Sequence, residues 1–369
     1  MITVKAPGKY WNEPGILAKS GPLIASIGKR ALIIAGRRAL EAVNASFIST
    51  LDESGISYTI ALFSGKVTSV EIDSFTEKAA EEQADVIIGV GGGKALDISK
   101  AVGGKLGIPV VAVPTIAATC ASWAAVTVLY DDLGRSSGYL LNERSPELVL
   151  ADTDVLASAP KRYLAAGIGD TIVKWYETVV NLNDDPDGLD IRIATQTAKI
   201  ALDRLHLHAL EAYQSAGSGE VTPAFLETVD AIIALAGLAG TVQGSTARAA
   251  IAHSIHNSLT HFPETGNTLH GEKVAFGLLT QVVLEGRVEA EINGLAVLLH
   301  KLGLPITLKE LGIDKEPANI AVEIAKGVQL REGSTSGLSF EINENLIAQA
   351  IQKADQWGHR IIRETYSKA

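Results

Sequence analysis

The chain has 369 residues, 47% of them hydrophobic and 20% charged, and carries a formal net charge of −10 at neutral pH. That is length enough for two domains with a sizeable core. An acidic balance without any lysine- or arginine-rich run argues against nucleic acid or an anionic membrane as a partner. One cysteine, Cys120, rules out an internal disulfide and fits a reducing compartment. The first ten residues lack the apolar stretch of a signal peptide, and no run approaches the ~18 apolar residues of a membrane span. The expectation is a soluble, cytoplasmic protein that acts on a small molecule, and a homo-oligomer is compatible with it.

Strand and helix signals alternate through the first part. Residues 31–35 read as a buried strand and 39–51 as the helix after it. Residues 56–63 form a second strand and 70–83 a second helix. A strand at 86–90, a helix at 94–102 and a short strand at 108–114 follow. Residues 126–130 and 147–151 add strands, and the segment between them, with Asp131-Asp-Leu-Gly134, resembles a hairpin. This order predicts an α/β domain built on an open, mostly parallel, Rossmann-like sheet with helices on both faces. After Asp152 the texture changes to long, helically periodic apolar runs at 191–212, 223–242, 249–259, 289–302, 318–326 and 344–365. The expected organisation is a dinucleotide-binding domain over residues 1–157 and an all-helical domain over 158–369 that binds metal and substrate.

The most informative stretch is Asp85-Val-Ile-Ile-Gly-Val-Gly-Gly-Gly-Lys-Ala-Leu-Asp97. A strand that passes through Gly91, Gly92 and Gly93 into a helix leaves backbone N–H groups free at the helix start. With the helix dipole, those groups make an anion site. Glycine permits φ > 0 and lets a phosphate approach the backbone without a Cβ in the way; Lys94 adds a mobile positive charge. The pattern matches neither the P-loop nor G-x-G-x-x-G. By itself it indicates a phosphate-bearing ligand, or a plain tight turn.

Four of the eight histidines are His253, His256, His261 and His270. His253 and His256 are three apart in a helical run and so share a face. A loop with Pro263 and Gly266 can fold His270 back toward His253. Asp170, placed in Gly167-Ile-Gly-Asp170 where a helical run begins, offers a third ligand. One carboxylate and two imidazoles suit zinc or ferrous iron and leave a coordination position for substrate. The same residues would also serve as a polar patch, with Asp170 capping its helix.

Taken together, the phosphate turn, the helical second half, Gly169-Asp170, His253-x-x-His256-Asn257 and His270-Gly271-Glu-Lys-Val resemble the glycerol dehydrogenase-like branch of the iron-containing alcohol dehydrogenase family. The resemblance spans nearly the whole chain. It is closest in pattern to hydroxycarboxylate dehydrogenases. It implies a nicotinamide cofactor in the cleft between domains and a divalent metal held by Asp170, His253 and His270, with zinc ahead of iron, nickel or manganese. His256 then stands behind the ligands or faces substrate, as a weak candidate for proton transfer. Gly93, Lys94 and Asp97 would contact the cofactor, as would Thr115, Thr119 and Tyr130, the threonines lying in Val113-Pro-Thr-Ile-Ala-Ala-Thr119.

Two departures from the glycerol dehydrogenase pattern matter. Where that pattern has an acid after the first buried strand, this chain has Gly36, followed by Arg37 and Arg38. Loss of the acid and gain of a guanidinium favour a 2′-phosphate, hence NADP(H) over NAD(H). Where the pattern has Thr-Asp-Ala-Pro, this chain has Thr119-Cys120-Ala121-Ser122. The missing aspartate weakens the case for a polyol and removes a charge that would repel a carboxylate. Cys120 reads as a pocket-lining residue. The expected activity is interconversion of small 2-oxo and 2-hydroxy acids, with an NAD-dependent glycerol or diol dehydrogenase as the alternative. A dehydroquinate synthase-like lyase and a non-catalytic binding protein on the same scaffold are remoter readings.

Overall fold

Alternation along the buried strands decides the layering of the first half. The computed structural model describes residues 1–182, 185–244 and 248–367. After a two-residue strand, β1 (Thr3–Val4), come β2 (Lys9–Glu13), α1 (Gly21–Ala25), β3 (Arg30–Ala35), α2 (Arg37–Glu53), β4 (Ser57–Leu62), α3 (Ser69–Glu81), β5 (Val86–Gly91), α4 (Gly93–Leu106), β6 (Val110–Pro114), β7 (Val126–Tyr130), β8 (Ser136–Leu141) and β9 (Leu148–Asp152). Six strands form one sheet in the order β2-β9-β6-β5-β3-β4, with every pairing parallel. Ala31, Ile33, Ile88, Val90 and Val111 point to the face covered by Val43, Phe47 and Leu51 of α2. Leu32, Ile34, Ile87 and Val110 point to the other, under Ile72 and Phe75 of α3 and Ile98 and Val102 of α4. Successive side chains leave a strand on opposite sides, so a continuous apolar run is a strand buried on both faces.

Strand order reverses between β3 and β5: the chain leaves β3 for the edge at β4, then returns to β5 on β3's other side. The turns after these two strands, at Gly36 and at Gly91-Gly92-Gly93, therefore flank the switch point. In open parallel sheets that is where ligands bind.

Three differences from the sequence reading stand out here. Residues 126–130 do not join the main sheet; β7 pairs only with β8, as an antiparallel hairpin closed at Asp131 and Gly134. The polar stretch Lys9–Glu13 is an edge strand, in parallel register with β9, and shows no apolar run because so little of it is buried. The expectation that no segment approaches membrane-span length also needs correction. Pro223–Thr241, 19 residues, is long and apolar enough by composition, though most of it is buried in the protein. Glu227 and Asp230 interrupt it and hide its length in the sequence.

The helices of the remainder are α5 (Thr153–Ser158), α6 (Lys161–Val179), α7 (Leu189–Ser215), α8 (Pro223–Asp230), a π turn (Ala231–Leu235), α9 (Ala236–Thr241), α10 (Ile251–Leu259), α11 (His270–Leu284), α12 (Glu289–Lys301), α13 (Pro317–Lys326) and α14 (Glu344–Tyr366), with a two-residue strand β10 (Val242–Gln243). The described chain divides into two compact units: Val4–Leu164 with Glu211–Thr241, and Met1–Thr3 with Ala165–Leu210 and Val242–Ala369. This differs from a single cut at 157/158. Residues 211–241 return to the sheet-bearing unit because Asp230 accepts hydrogen bonds from the Tyr10 hydroxyl and the Asn12 amide, each at 2.8 Å. Gly237 lies so close to Trp123 that a Cβ there would sit 2.4 Å from the indole.

Candidate metal centre and cofactor turn

In the helical unit, two close backbone crossings bring the candidate ligands together. A Cβ on Gly271 would lie 1.8 Å from the Ala166 carbonyl oxygen, and one on Gly169 would lie 3.0 Å from the Gly271 carbonyl. Helices α6 and α11 can therefore touch only through glycine and alanine. Gly277 makes the same approach to Ala252, where a Cβ would be 2.5 Å from the carbonyl oxygen, and this seats α11 on α10. The first crossing sets Asp170 beside His270, and the second sets His253 beside both.

Asp170 is not at a helix start, as its sequence neighbours suggest, but in the middle of α6. Gly169 before it is a packing position rather than a helix break. Its buried carboxylate Oδ1 lies 3.2 Å from His253 Nε2 and 3.4 Å from His270 Nε2. One ligand atom from each of the three residues falls within 4.8 Å of the others. A carboxylate oxygen and two imidazole nitrogens converging at that spacing fit a divalent ion.

The remaining nitrogens of the ligand rings are held from behind. The Glu177 carboxylate accepts from His253 twice, from Nδ1 at 2.7 Å and from the backbone N–H at 2.9 Å. A carboxylate can only accept, so His253 Nδ1 carries the hydrogen and Nε2 is turned toward Asp170. His270 Nδ1 is 3.0 Å from His256 Nε2, and His256 Nδ1 is 3.0 Å from the Asn257 side-chain oxygen. His256 is buried, and both its ring nitrogens are engaged, one by His270 and one by Asn257.

Electrostatics follow from this packing. Burial opposes charge on Asp170, but Lys174, His253 and His270 outweigh it and hold the carboxyl well below its usual range. Glu177 is likewise lowered, burial being outweighed by His253 and Lys174. Burial alone would push His253 down; Glu177, helped by Asp170, instead lifts it to about 9. Burial and the neighbouring positive charges of His270 and His253 drive His256 well below its ordinary value, which keeps it a neutral imidazole. Sequence reasoning misses Glu177 and Lys174, although Asp170, Lys174 and Glu177 are spaced four and then three apart and so share one face of a helix.

In the sheet-bearing unit, β5 runs through Gly91 (φ 150°) into α4, whose first turn has no side-chain cap at Gly92. A Cβ at Gly93 would meet Thr119 Oγ1 at 3.3 Å and Ala121 at 3.5 Å, so the 119–121 loop borders the turn. The Thr115 amide donates to the Gly91 carbonyl at 3.1 Å. The Lys94 ammonium sits 4.6 Å from the centre of the Tyr130 ring. Gly36 is the extended residue ahead of α2, and a Cβ there would meet nothing within 4 Å; Arg37 and Arg38 open that helix exposed.

The Asp97 carboxylate, one turn beyond Gly93 on α4, is engaged within the protein. It pairs with Lys100 at 2.8 Å and accepts from the Val128 amide at 3.0 Å. The buried Lys100 ammonium also donates to the carbonyls of Ala121, Ala124 and Val126. Sequence reasoning passes over Lys100, whose position three residues after Asp97 is the only signal for the pair. Cys120 is half-buried in this pinned loop, its carbonyl accepting from the Trp123 and Ala124 amides.

Residues 7–153 match the family described as iron-containing alcohol dehydrogenase. The chain is 35% identical over 367 residues to a glycerol dehydrogenase of Escherichia coli O6:H1, covering 98% of each chain. It is 36% identical over 316 residues to hydroxycarboxylate dehydrogenase A of Escherichia coli K12, covering 84% of this chain and 85% of that one. Its fold superposes on a probable glycerol dehydrogenase from Sinorhizobium meliloti 1021 with a TM-score of 0.86 at 30% identity, over 98% of this chain and all of the other. Members of this family use NAD(H) and a divalent metal to oxidise CH–OH groups. Parallel sheet, helical remainder and full-length similarity agree: the chain belongs to the iron-containing alcohol dehydrogenase family, on its glycerol dehydrogenase-like branch.

Proposed function

We propose that the protein is a metal-dependent NAD(P)(H) dehydrogenase of small alcohols that carry a second oxygen on the neighbouring carbon, glycerol first among them. The observation that carries this reading is the Asp170–His253–His270 convergence, with Glu177 and His256 holding the outer nitrogens of both rings. Similarity along the whole chain to glycerol dehydrogenases supports glycerol ahead of other substrates. In the proposed division of labour, the sheet-bearing unit holds the nucleotide and the helical unit holds metal and substrate.

A divalent ion, when bound, supplies Lewis acidity to the carbinol oxygen. Asp170, His253 and His270 would hold it, and Glu177 would keep the His253 tautomer that leaves Nε2 available. A nicotinamide, when bound, would supply the acceptor for hydride from the carbinol carbon, the hydroxyl proton passing to solvent as the carbonyl forms. The turn at Gly91, Gly92 and Gly93 offers the pyrophosphate the uncapped N–H groups of α4, with Lys94 beside them. Thr115, Thr119 and Tyr130 border that turn. Gly36 and Arg37, across the switch point, favour NADP(H) over NAD(H).

A second reading, interconversion of 2-hydroxy and 2-oxo acids, is favoured by one specific observation: Thr119-Cys120-Ala121-Ser122 offers no carboxylate to a polyol. The test is a panel of glycerol, related diols and 2-oxo acids against both nicotinamides, with zinc, iron, nickel and manganese. Glycerol oxidation that outpaces every acid supports the first reading. Preferred reduction of a 2-oxo acid supports the second, and no metal-dependent turnover of any of them refutes both.

A further inference from the structure

Helix α10 starts at Ala250 without a side-chain cap of its own, and α6 ends at Val179, shortly after Glu177. The leading N–H groups of α10 and the trailing carbonyls of α6 therefore lack partners within their own helices. Two fully buried amides join these ends. The Gln281 side chain, from α11, donates through Nε2 to the Tyr176 carbonyl and accepts at Oε1 from the Ala252 amide, each at 3.2 Å. The Asn181 side chain donates to the Glu177 carbonyl at 2.6 Å and accepts from the Ala249 amide at 3.0 Å. A backbone N–H only donates and a carbonyl only accepts, so these partners fix the orientation of both amides.

The bonds of Gln281 fall beside the metal centre. Tyr176 immediately precedes Glu177 and Ala252 immediately precedes His253, and Glu177 and His253 are themselves joined by two hydrogen bonds. Gln281 Nε2 also donates to Glu285 Oε1 at 2.7 Å, and Arg287 holds that carboxylate through its other oxygen. One side chain thus ties together α6, α10 and α11, the helices that carry Asp170, His253 and His270. The close approach at Gly277 sets how near α10 comes to α11. A directional bond to Ala252 adds where along that contact the start of α10 stands.

From this arrangement we infer that Gln281 is a positioning residue for the metal centre, whose amide caps α10 from another helix and so keeps His253 in register with Asp170. The inference rests on the metal-dependent dehydrogenase reading above and deepens it with a residue that acts through backbone atoms.

The test measures native-state hydrogen exchange of metal-free protein, and zinc affinity by calorimetry, on parent, Gln281→Met and Thr280→Val. Thr280 is the buried neighbour on α11; its hydroxyl bonds the Phe276 carbonyl of the same helix, and it serves as control. In the parent, the Ala252 amide is as protected as that of Leu278 in the middle of α11, although Ala252 lies in a first turn. In Gln281→Met, the Ala252 and His253 amides exchange at least about tenfold faster relative to Leu278, and zinc binds about tenfold more weakly. Thr280→Val leaves both readings at the parent level. In a Glu177→Gln background, Gln281→Met costs less zinc affinity than it does alone, because both residues act on one helix start. The inference is overturned if Ala252 is unprotected in the parent, if Gln281→Met leaves its protection or the zinc affinity unchanged, if the two substitutions act additively, or if Thr280→Val weakens zinc as much. Should Gln281→Met fail to fold, the parent's exchange pattern decides. A parent that binds no zinc refutes the metal-dependent reading instead, while the exchange rates still decide whether Gln281 caps α10.

Discussion

The glycine turn and the metal centre are built in opposite ways. The turn is one contiguous stretch that offers uncapped backbone N–H groups, and its side chains are mostly absent. The metal centre draws side chains from α6, α10 and α11, and backbone matters only where Gly271 and Gly277 let helices meet. A backbone site tolerates change around it as long as the path holds. A side-chain site depends on every helix that aims a ligand and on the groups behind each ligand.

The sharpest way to break this contrast is to truncate a ligand. Asp170→Ala or His270→Ala is expected to abolish metal binding and turnover while leaving helical content intact, read by metal analysis and circular dichroism. Full activity of either variant in the presence of chelator would remove the metal centre from the function.

A smaller effect is expected one layer out. Glu177→Gln keeps the shape but weakens the acceptor that fixes His253, and should lower zinc affinity about 10- to 100-fold. Unchanged affinity would mean that the ring is held by packing alone.

At the backbone site the matching change is Gly36→Asp, which nothing within 4 Å obstructs. It should shift cofactor preference toward NAD(H) by roughly 1–3 kcal/mol, measured as the ratio of kcat/KM for the two nicotinamides. An unaltered ratio would make Arg37 and Arg38 mere surface residues.

A last effect is one of pH. In chelator-treated protein, Glu177 holds the His253 imidazolium, despite its burial, up to about 9, against an ordinary value of 6.5. Because the folded state binds that proton more tightly, the stabilisation is whole below about pH 6.5 and is lost as pH rises through about 9. The melting temperature of metal-free protein should therefore fall across that window. Zinc-loaded protein, in which the metal replaces the proton, should show no such fall.

The same contrast explains what the sequence makes legible. Strands β3, β5 and β6 are buried on both faces and read directly as apolar runs, so the parallel sheet and its glycine turn follow from local pattern. Edge strand β2 has no such run, being half in solvent. Helix α11 is not legible as a helix because nearly all of Gly271–Val282 is buried, which erases the amphipathic period. Asp170 reads as a helix start because Gly167 and Gly169 look like breaks; the reason for Gly169 is a crossing with α11, which no local pattern reveals. Lys174 and Glu177 lie on the Asp170 face by simple spacing, but only the position of His253, on another helix, gives that face a purpose.

Lys100 carries a consequence of another kind. Its ammonium ties the carbonyls of Ala121, Ala124 and Val126 to Asp97, so the route of this loop is fixed from a neighbouring helix through main-chain atoms. None of the loop's own side chains takes part in those bonds. A substitution at Cys120 therefore leaves these three main-chain anchors in place, and the segment's path past α4 does not depend on which side chain stands there.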